Sequence, residues 1–398
     1  MAEQAVRKTY KYKLKPTPAQ EQALEAVVYR CRTRYNAGLE QRRTGWERGQ
    51  GKRATCYQQQ AELPELKVAC PDYADVNAQV LQDVLLRLDR AFQACFRRVQ
   101  AGETPGYPRF QGRERDNRFT YKQLGGHGGA RLDNGFLVLS KVGRIAVRWS
   151  RPREGTPKTV TISREADGWH AGFSCADVPG VPPPCTGCET GIDVGLQVFL
   201  ITADGEVVEN PRHHRTVERR LAKAQRRVPR RKQGRQRRRK ALALRQRLHQ
   251  RLHQRLHQQV QRQRRDFHHK TALALLRQDD TIYLEELQVR TLVRNPHLAT
   301  SISDAGWAAF RTILTSTAAY ADKWVVAVPP AFTSQDCSGV LPDGSRCPQR
   351  VAKSVAVRPH ACPCCGLVLD RDANAVLTIL RAGQARQALT QRDTAYVA

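Results

Sequence analysis

The spacing of apolar residues changes several times along the chain, and each change predicts a different kind of element. Residues 7–14 alternate between apolar and polar side chains, which is the period of a strand with one buried face. From 131 to 180 the same alternation recurs in short runs separated by Gly and Asp. This pattern predicts an antiparallel sheet or a small barrel, completed by the strand at 7–14.

Between these strands the period becomes helical. Thr17 and Pro18 supply an N-cap and a first helical position, where the missing N–H of proline is tolerated. Further helices are predicted at about 56–66 and 75–99. The apolar stripe of the last one comprises Val80, Leu81, Val84, Leu85, Leu88, Phe92 and Phe96. We therefore expect a helical subdomain between the first strand and the rest of the sheet.

The second half opens with a carboxylate in an apolar strand. Asp193 lies between Ile192 and Val194, where burial of its charge is costly unless a cation or a proton offsets it. The flanking Gly191 and Gly195 are interpreted as leaving room for a ligand to approach.

Two later acidic residues have comparable surroundings. Glu285 ends the apolar strand that follows Asp280, and Asp372 opens the apolar helical run 373–380. A strand bearing Asp, a later strand ending in Glu and a helix opening with Asp are typical of the RNase H fold. Three carboxylates in that fold hold two Mg²⁺ ions about 3.5–4 Å apart. The alternative for Asp372 is that it only caps its helix.

Twelve cysteines are present, and four of them suit a tetrahedral zinc site. These are Cys337, Cys347, Cys362 and Cys365. The second pair has the usual two-residue gap, whereas the first is interrupted by the turn sequence Pro342-Asp343-Gly344. We expect a hairpin there that returns Cys347 to the metal, and a free thiol at Cys364. The alternative is that these cysteines are simply buried.

Another pair, Cys185 and Cys188, follows the proline-rich linker at 178–184. Since no second pair lies nearby in the sequence, zinc binding at this pair stays open.

The charge indicates a polyanionic partner. The chain has 67 Lys+Arg against 37 Asp+Glu, a net charge of +30. Residues 212–270 concentrate 23 Lys+Arg against two acids, and a leucine or valine at every fourth position from Leu244 to Val260 predicts a helix. We expect Arg237, Arg238 and Arg239 in this run to bind nucleic acid. The alternative is a basic helix that only faces solvent.

Residues 105–122 mix basic and aromatic side chains, which suits phosphate contacts combined with base stacking. Arg109, Arg118, Phe119 and Thr120 are the candidates. A basic-faced strand with its aromatic rings in a core explains the same pattern. No apolar run approaches the roughly 18–20 residues of a membrane helix, so no membrane association is expected.

Several of these motifs together resemble the TnpB family, transposon-encoded relatives of the type V CRISPR effector nucleases. Gly191-Ile-Asp193-Val-Gly195 resembles the first RuvC motif of the family, and Leu284-Glu285-Glu286-Leu287 resembles the second. Asp370-Arg-Asp372-Ala-Asn374-Ala375 resembles the third. Two further segments also resemble sequence motifs of the family: Gly106-Tyr-Pro-Arg-Phe110 and Thr333-Ser-Gln-Asp-Cys337.

The resemblance implies an RNA-guided DNA endonuclease with a guide RNA made from the transposon end. A short adjacent motif would be read by the N-terminal half, with Gln82 and Thr120 facing it. By motif, the catalytic and magnesium-binding residues are Asp193, Glu285 and Asp372, chosen over Glu286 and Asp370.

The implied fold is an α+β multidomain protein. The expected domains are a wedge-like β-barrel (1–16 and 104–182), a helical recognition subdomain (17–103), an RNase H-like RuvC nuclease (189–330 and 367–382, with a basic helical region at 212–278), an inserted zinc-binding domain (331–366) and a C-terminal tail (383–398).

The expected partners are the guide RNA and double-stranded target DNA, bound by a monomeric protein in a bacterial or archaeal cytoplasm, at the nucleoid. The expected cofactors are two Mg²⁺ ions and one structural Zn²⁺. Two alternatives remain: an RNA-guided DNA-binding regulator without cleavage, and an accessory transposition protein without a guide. Carboxylates at all three positions speak against the loss of cutting. The lengthened zinc knuckle and the repeated Arg-Leu-His-Gln at 247–258 depart from the family pattern.

Overall fold

The strand predicted at 7–14 is confirmed as β1 (Ala5–Lys15), which lies inside a seven-stranded sheet. The other strands are β2 (Arg118–Tyr121), β3 (Ala130–Asp133), β4 (Phe136–Leu139), β5 (Gly143–Arg148), β6 (Thr156–Glu165) and β7 (Gly168–Pro179). Their order is β2-β6-β7-β1-β5-β4-β3, and every neighbouring pair is antiparallel. The sheet is nearly closed and barrel-like, so the predicted antiparallel sheet is confirmed.

The structure is a computed structural model that describes residues 5–48, 54–113, 115–126, 129–179, 182–215, 235–352 and 357–397. Within the helices, the side chains of 235–253 and 389–397 lie outside this description. The chain divides into two units, Met1–Gly180 and Val181–Ala398. No helix in the described ranges combines the length and apolar character needed to cross a bilayer.

The helices of the first unit share one hydrophobic core with its sheet. They are α1 (Pro18–Glu47), α2 (Cys56–Ala61), α3 (Leu63–Ala69) and α4 (Ala78–Gln100), with a 3-10 turn at Pro71–Asp75. Thr17 caps α1 as predicted, in a capping box completed by Gln20. The predicted stripe of α4 is buried from Val80 to Phe92, but the prediction is wrong for Phe96, which is 45% exposed.

The second unit is built on a mixed five-stranded sheet. Its strands are β8 (Glu189–Val194), β9 (Val198–Thr202), β10 (Val207–Glu209), β11 (Thr281–Glu285) and β12 (Trp324–Val328), in the order β10-β9-β8-β11-β12. The three segments from β8 to β10 form antiparallel hairpins, whereas β11 pairs in parallel with both β8 and β12. The strands predicted around Asp193, before Glu285 and at 324–328 are confirmed.

Helices cover both faces of this sheet. They are α5 (Arg235–Gln278), α6 (Val289–Leu292), α7 (Pro296–Ala305), α8 (Trp307–Tyr320) and α9 (Arg371–Val397). Alternate residues of β11 enter different cores: Ile282 and Leu284 belong to the core with α5 and α8, whereas Tyr283 packs with Ile379 of α9. This alternation explains why the whole strand is apolar, because both of its faces are covered.

Two glycines allow α9 to lie close to the sheet. A Cβ on Gly191 would lie 2.6 Å from the carbonyl oxygen of Val376, and one on Gly383 would lie 2.0 Å from the ring of Tyr283. The interpretation of Gly191 as room for a ligand is therefore wrong, since the backbone of α9 occupies that space.

The basic region contains a 44-residue helix, α5, which begins directly after Gly234. Its C-terminal part joins the core through Ala272, Leu275 and Leu276, and Val260 is also buried. The helix backbone includes 237–239, but the side chains of Arg237, Arg238 and Arg239 lie outside the described residues. The segment 216–234 lies outside them entirely.

A small two-stranded sheet precedes α9. It consists of β13 (Pro359–Ala361) and β14 (Val368–Asp370), which pair antiparallel with His360 opposite Leu369. The strand β14 leads directly into α9, so this sheet fixes the direction in which the helix begins.

Candidate active site and cysteine cluster

The structure brings Asp193, Glu285 and Asp372 together. The parallel register of β8 and β11 sets Ile192 opposite Leu284, so the residues that follow them, Asp193 and Glu285, are neighbours at one end of the sheet. Asp372 lies in the first turn of α9, the helix that packs on these two strands. Three carboxylates from distant parts of the sequence therefore lie in one region, close enough for the charges of Glu285 and Asp372 to act on Asp193.

The surroundings of Asp193 disfavour its charged form. Burial raises the pKa of Asp193 to about 8, and the negative charges of Glu285 and Asp372 raise it in the same direction. The guanidinium of Arg371 acts in the opposite direction without cancelling them. A concentration of negative charge that lacks full compensation is the environment in which a bound cation is stabilised.

Glu285 has a hydroxyl partner that the sequence reasoning missed. Burial raises the pKa of Glu285, while the hydrogen bond that Thr333 Oγ1 donates to Glu285 Oε1 lowers it. Thr333 is itself buried. The sequence gives one signal for Thr333, its position in the Thr333–Cys337 motif of the family. That motif does not indicate which residue Thr333 contacts.

Asp372 is held by arginines on both sides. Arg358 Nη2 lies 2.9 Å from one of its carboxylate oxygens, and Arg371 Nε lies 3.5 Å from the other. Arg358 directly precedes β13, and no sequence motif pointed to it.

The two neighbouring acids have other partners. Glu286 is exposed and forms an ion pair with Arg311 at 3.2 Å. Asp370 accepts a hydrogen bond of 2.9 Å from the backbone N–H of Asp372, which makes Asp370 the side chain that caps α9. The alternative that Asp372 is only an N-cap is therefore wrong.

The donor set fits a hard divalent cation. Carboxylate oxygens are the ligands that Mg²⁺ prefers, and three separate elements each bring one carboxylate to this region. The raised pKa of Asp193 supports this fit, because a cation would offset both the burial of its charge and the repulsion from the other two acids.

The four predicted cysteines also converge. Their sulfur atoms all lie within 4.8 Å of one another. Cys337 Sγ and Cys365 Sγ are 3.5 Å apart, and Cys347 Sγ and Cys362 Sγ are 3.6 Å apart. Four thiolates around a zinc ion at the usual bond length would be separated by about 3.8 Å, so the cluster has the size of a zinc site.

The surroundings of the sulfurs shift the pKa values of Cys337 and Cys362 in opposite directions. Burial raises the pKa of the Cys337 thiol to about 12, whereas N–H groups of Cys364 and Cys365 outweigh burial at Cys362 and lower its pKa to about 6. A Cβ on Gly339 would lie 2.4 Å from Cys365 Sγ, so this position is kept open by the absence of a side chain.

The predicted hairpin between the first two cysteines is confirmed. Val340 and Arg346 form an antiparallel bridge, and the turn is closed by the bond from Gly344 N–H to the Leu341 carbonyl. Cys364 is exposed and outside the cluster, as predicted. Cys185 and Cys188 are both exposed and belong to no group of metal-ligating residues in the described part of the chain.

The cysteine cluster is joined to α9 by polar side chains of that helix. Asn374, which is fully buried, donates from Nδ2 to the carbonyl of Asp336 at 2.9 Å, and Thr378 Oγ1 donates to the same oxygen at 3.4 Å. Arg381 Nη1 donates to the carbonyl of Ser338. These bonds flank Cys337, so the helix carrying Asp372 and a cysteine of the cluster share one hydrogen-bonded framework.

The candidate nucleic-acid residues in the first unit behave differently from one another. Phe119 is 1% exposed and packs edge-on against Tyr121, so its assignment as a base-stacking residue is wrong. The alternative interpretation, a strand with a basic face and buried aromatic rings, is correct for β2. Arg118 lies on the exposed face of this strand. Thr120 shares a hydrogen bond of 2.9 Å with Thr161, and Gln82 is exposed on α4.

Three family models match the chain. Residues 173–296 match a family described as "Probable transposase", and residues 307–379 match the "Cas12f1-like, TNB domain". Residues 1–51 match a family described as "Helix-turn-helix domain". Within the described residues of this range, 5–48, the chain forms β1 followed by the single long helix α1 rather than two helices joined by a turn.

Two solved structures resemble the chain at low similarity. One is titled "Cryo-EM structure of the Cas12f1-sgRNA-target DNA complex", with a TM-score of 0.33 and 14% identity over 94% of this chain and 99% of that one. The other is titled "Cryo-EM structure of CRISPR-Cas12f Ternary Complex", with a TM-score of 0.34 and 14% identity over 91% of this chain and 80% of that one.

Curated relatives cover most of the chain. InsQ of Escherichia coli K12, named "Putative RNA-guided DNA endonuclease InsQ", is 27% identical over 83% of this chain and 82% of the relative. A "Putative RNA-guided DNA endonuclease" of Streptomyces pristinaespiralis is 33% identical over 97% of this chain and 91% of the relative. With that identity over nearly its whole length, the chain belongs to the TnpB family.

Proposed function

We propose that this protein is an RNA-guided DNA endonuclease that cleaves target DNA with the carboxylates Asp193, Glu285 and Asp372. The observation that carries the proposal is that these three acids lie together, with Asp193 destabilised as an anion by burial and by the charges of the other two. A protein that only binds DNA has no need to keep such a costly arrangement. The names of the curated relatives support the same activity.

Each carboxylate has a defined task in this proposal. Two Mg²⁺ ions bound there would activate a water molecule and stabilise the leaving oxygen of the phosphodiester. Asp193, whose charge interacts with both of the other acids, would hold metal together with them. Thr333 fixes the carboxylate of Glu285 through its hydrogen bond, and Arg358 fixes that of Asp372. The chain then supplies preorganised ligands and needs no serine or histidine nucleophile.

One zinc ion bound by Cys337, Cys347, Cys362 and Cys365 would serve a structural role. All four positions of a tetrahedral ion are filled by these sulfurs, so no position is left for substrate. The proposed architecture follows the expected wedge, recognition, RuvC and zinc-binding domains. The hydrogen bonds from Asn374 and Arg381 support a direct connection between the last two.

The nucleic-acid partners are proposed to be a guide RNA and double-stranded target DNA. Arg237, Arg238 and Arg239 on α5 would contact RNA phosphates, and the exposed Arg109 and Arg118 would contribute in the first unit. Gln82 and Thr120 are proposed to face the motif beside the target. Because both curated relatives are bacterial, the setting is proposed to be a bacterial cytoplasm and its nucleoid, with one protein chain per ribonucleoprotein.

The decisive experiment is to purify the protein, sequence the RNA that co-purifies, and supply duplex DNA matching its variable end. We expect a discrete RNA and Mg²⁺-dependent cleavage of the matched duplex only. A discrete RNA with target binding but no cleavage would identify a regulator instead. The absence of RNA would identify an accessory protein.

A further inference from the structure

A cavity of about 370 Å³ opens in the first unit at the side of α1. Its lining residues are Leu39, Arg43, Tyr107, Pro108, Arg109 and Phe110, which together we call the aromatic shelf. Leu39 and Pro108 are buried and form its floor. The rings of Tyr107 and Phe110 remain 51% and 48% exposed. Adjacent exposed aromatic rings beside an apolar floor are a typical binding surface rather than a part of the core.

The segment that carries the shelf is anchored at both ends. Before it, Arg98 Nη1 donates to the carbonyl of Pro105 at 3.1 Å. After it, Gln111 and Asn36 exchange two hydrogen bonds, of 2.8 Å from the Gln111 N–H and 3.1 Å from Asn36 Nδ2. The shelf is therefore held in place without a ligand, which lowers the entropic cost of binding one.

The ring of Tyr107 is fixed from below by Phe92. Their centroids are 5.5 Å apart with the rings at 88°, and Phe92 is buried. This edge-to-face contact uses one side of Tyr107 and holds the ring at a set angle. The exposed part of the ring is then available as a flat stacking surface.

The charged residues that line the cavity are basic, while Glu40 and Glu47 lie near Arg43 and Tyr107. Two of the six lining residues, Arg43 and Arg109, are arginines, and none of the six is acidic. Arg43 pairs with Glu47 at 2.9 Å, but both side chains are more than half exposed, so the pair is weak. A ligand with a flat apolar face and an adjoining negative charge matches this surface. An unpaired nucleotide has both properties.

We propose that the aromatic shelf binds an unpaired nucleotide of the RNA, with its base stacked on Tyr107 and Phe110 and its phosphate held by Arg43 and Arg109. This inference rests on the proposed function and specifies where the RNA meets the first unit. RNA is chosen over DNA because folded RNA displays unstacked bases in loops and bulges, whereas duplex DNA offers none until it is opened. Because the shelf is already formed in the free protein, it can bind RNA before any DNA duplex is opened.

The experiment uses the full-length protein with the RNA that co-purifies with it. Ultraviolet crosslinking followed by mass spectrometry should find ribonucleotide adducts on Tyr107 or Phe110. The double variant Tyr107→Leu/Phe110→Leu keeps apolar side chains but removes both rings. Its affinity for the RNA isolated from wild type should fall at least about fivefold in competition at raised salt, from the loss of base stacking. Tyr57→Leu is the matched control, because Tyr57 is an 83% exposed tyrosine of the same unit, and it should bind as wild type does.

The outcomes separate this inference from the proposed function. Wild-type protein without RNA would overturn both. RNA that binds the double variant as tightly as wild type would overturn the shelf alone, as would adducts on Tyr107 or Phe110 that form only after a matched target duplex is added. If the double variant unfolds at a lower temperature than wild type, Arg43→Gln/Arg109→Gln replaces it. In this second variant the slope of log affinity against log salt concentration should be smaller in magnitude by about 1 to 2. An unchanged slope would also overturn the shelf.

Discussion

The backbone N–H of Ser338 donates a hydrogen bond of 3.0 Å to Oδ1 of Asn374. The same buried side chain donates to the carbonyl of Asp336, so its amide group satisfies the peptide groups on both sides of Cys337. Asn374 lies two residues after Asp372 in α9. One asparagine therefore ties the cysteine cluster to the helix that delivers the third carboxylate.

Replacing Asn374 by alanine should affect both stability and cleavage. The change would leave a buried N–H and a buried carbonyl without their partner, which costs about 1–3 kcal/mol for each group in favourable geometry. We expect a lower melting temperature and slower single-turnover cleavage, with RNA affinity unchanged. Thr378→Val removes the hydroxyl contacts to the carbonyls of Asp336 and Asn374 but keeps both bonds of the Asn374 amide, so it is the matched control and should change both far less. Equal cleavage rates for Asn374→Ala and wild type would contradict the coupling.

The carboxylates predict a sharp pattern among single substitutions. Asp193→Ala, Glu285→Ala and Asp372→Ala should each abolish cleavage while RNA and target binding persist, because guide pairing and the basic surface supply affinity independently. Glu286→Ala should retain activity, since Glu286 pairs with Arg311. Asp370→Asn should also retain it, because the amide oxygen still caps α9. Cleavage at the wild-type rate by any of the three alanine variants would refute the assignment.

Zinc content should depend on one cysteine of the second pair and not on its neighbour. Cys362→Ser should lower the zinc content per chain and the melting temperature together, because metal binding contributes to folding. Cys364→Ser is the matched control, since Cys364 is exposed and outside the cluster. Zinc analysis of the purified proteins decides between them. The same zinc content in Cys362→Ser as in wild type would exclude this ligand set.

The basic helix should determine much of the salt dependence of RNA binding. Each phosphate contact contributes roughly 0.7–0.9 to the slope of log affinity against log salt. Replacing Arg237, Arg238 and Arg239 by Gln should therefore flatten the slope by about 2. Arg290→Gln/Arg294→Gln removes exposed charge from outside this run and should have a smaller effect. An unchanged slope in the triple variant would show that these arginines face solvent.

The close approach of α9 to the sheet predicts an unfavourable effect of a single methyl group. Gly383→Ala gains about 1 kcal/mol of helix propensity but forces a Cβ into the ring of Tyr283. Overpacking of this kind costs about 1–3 kcal/mol, so we expect net destabilisation in urea. Ala382→Ser, on the exposed side of the same helix, should be nearly neutral. A gain in stability for Gly383→Ala would mean that α9 packs less tightly.

Sequence patterns predicted the elements well and their partners less well. The period of β11 and the position of Glu285 at its end follow from local residue order, as does the Thr17 cap. Phe119 was misassigned because alternation shows that a strand has two faces without showing which face meets a core. The role of Gly191 is also misinterpreted from the sequence, because the helix that packs against it, α9, comes from far along the chain.

Several contacts that complete the site are long-range. Thr333 reaches Glu285 from 48 residues away, and Asn374 reaches Ser338 from 36. The periodic spacing of apolar residues does not indicate which distant residues will be in contact. The resemblance to a family indicates the three acids because they fall within short motifs, but it does not indicate which partners the surrounding side chains contact.

The distribution of the three acids along the chain has a consequence for the order of events on the ribosome. Strands β8 and β11 and the whole of α5 are synthesised before α9, and chains fold as they emerge. Asp193 and Glu285 can therefore be paired on their strands, and the basic helix complete, while Asp372 has not yet been translated. Under the proposed assignment, the set of carboxylates that cuts DNA is completed later in synthesis than the basic helix that binds RNA.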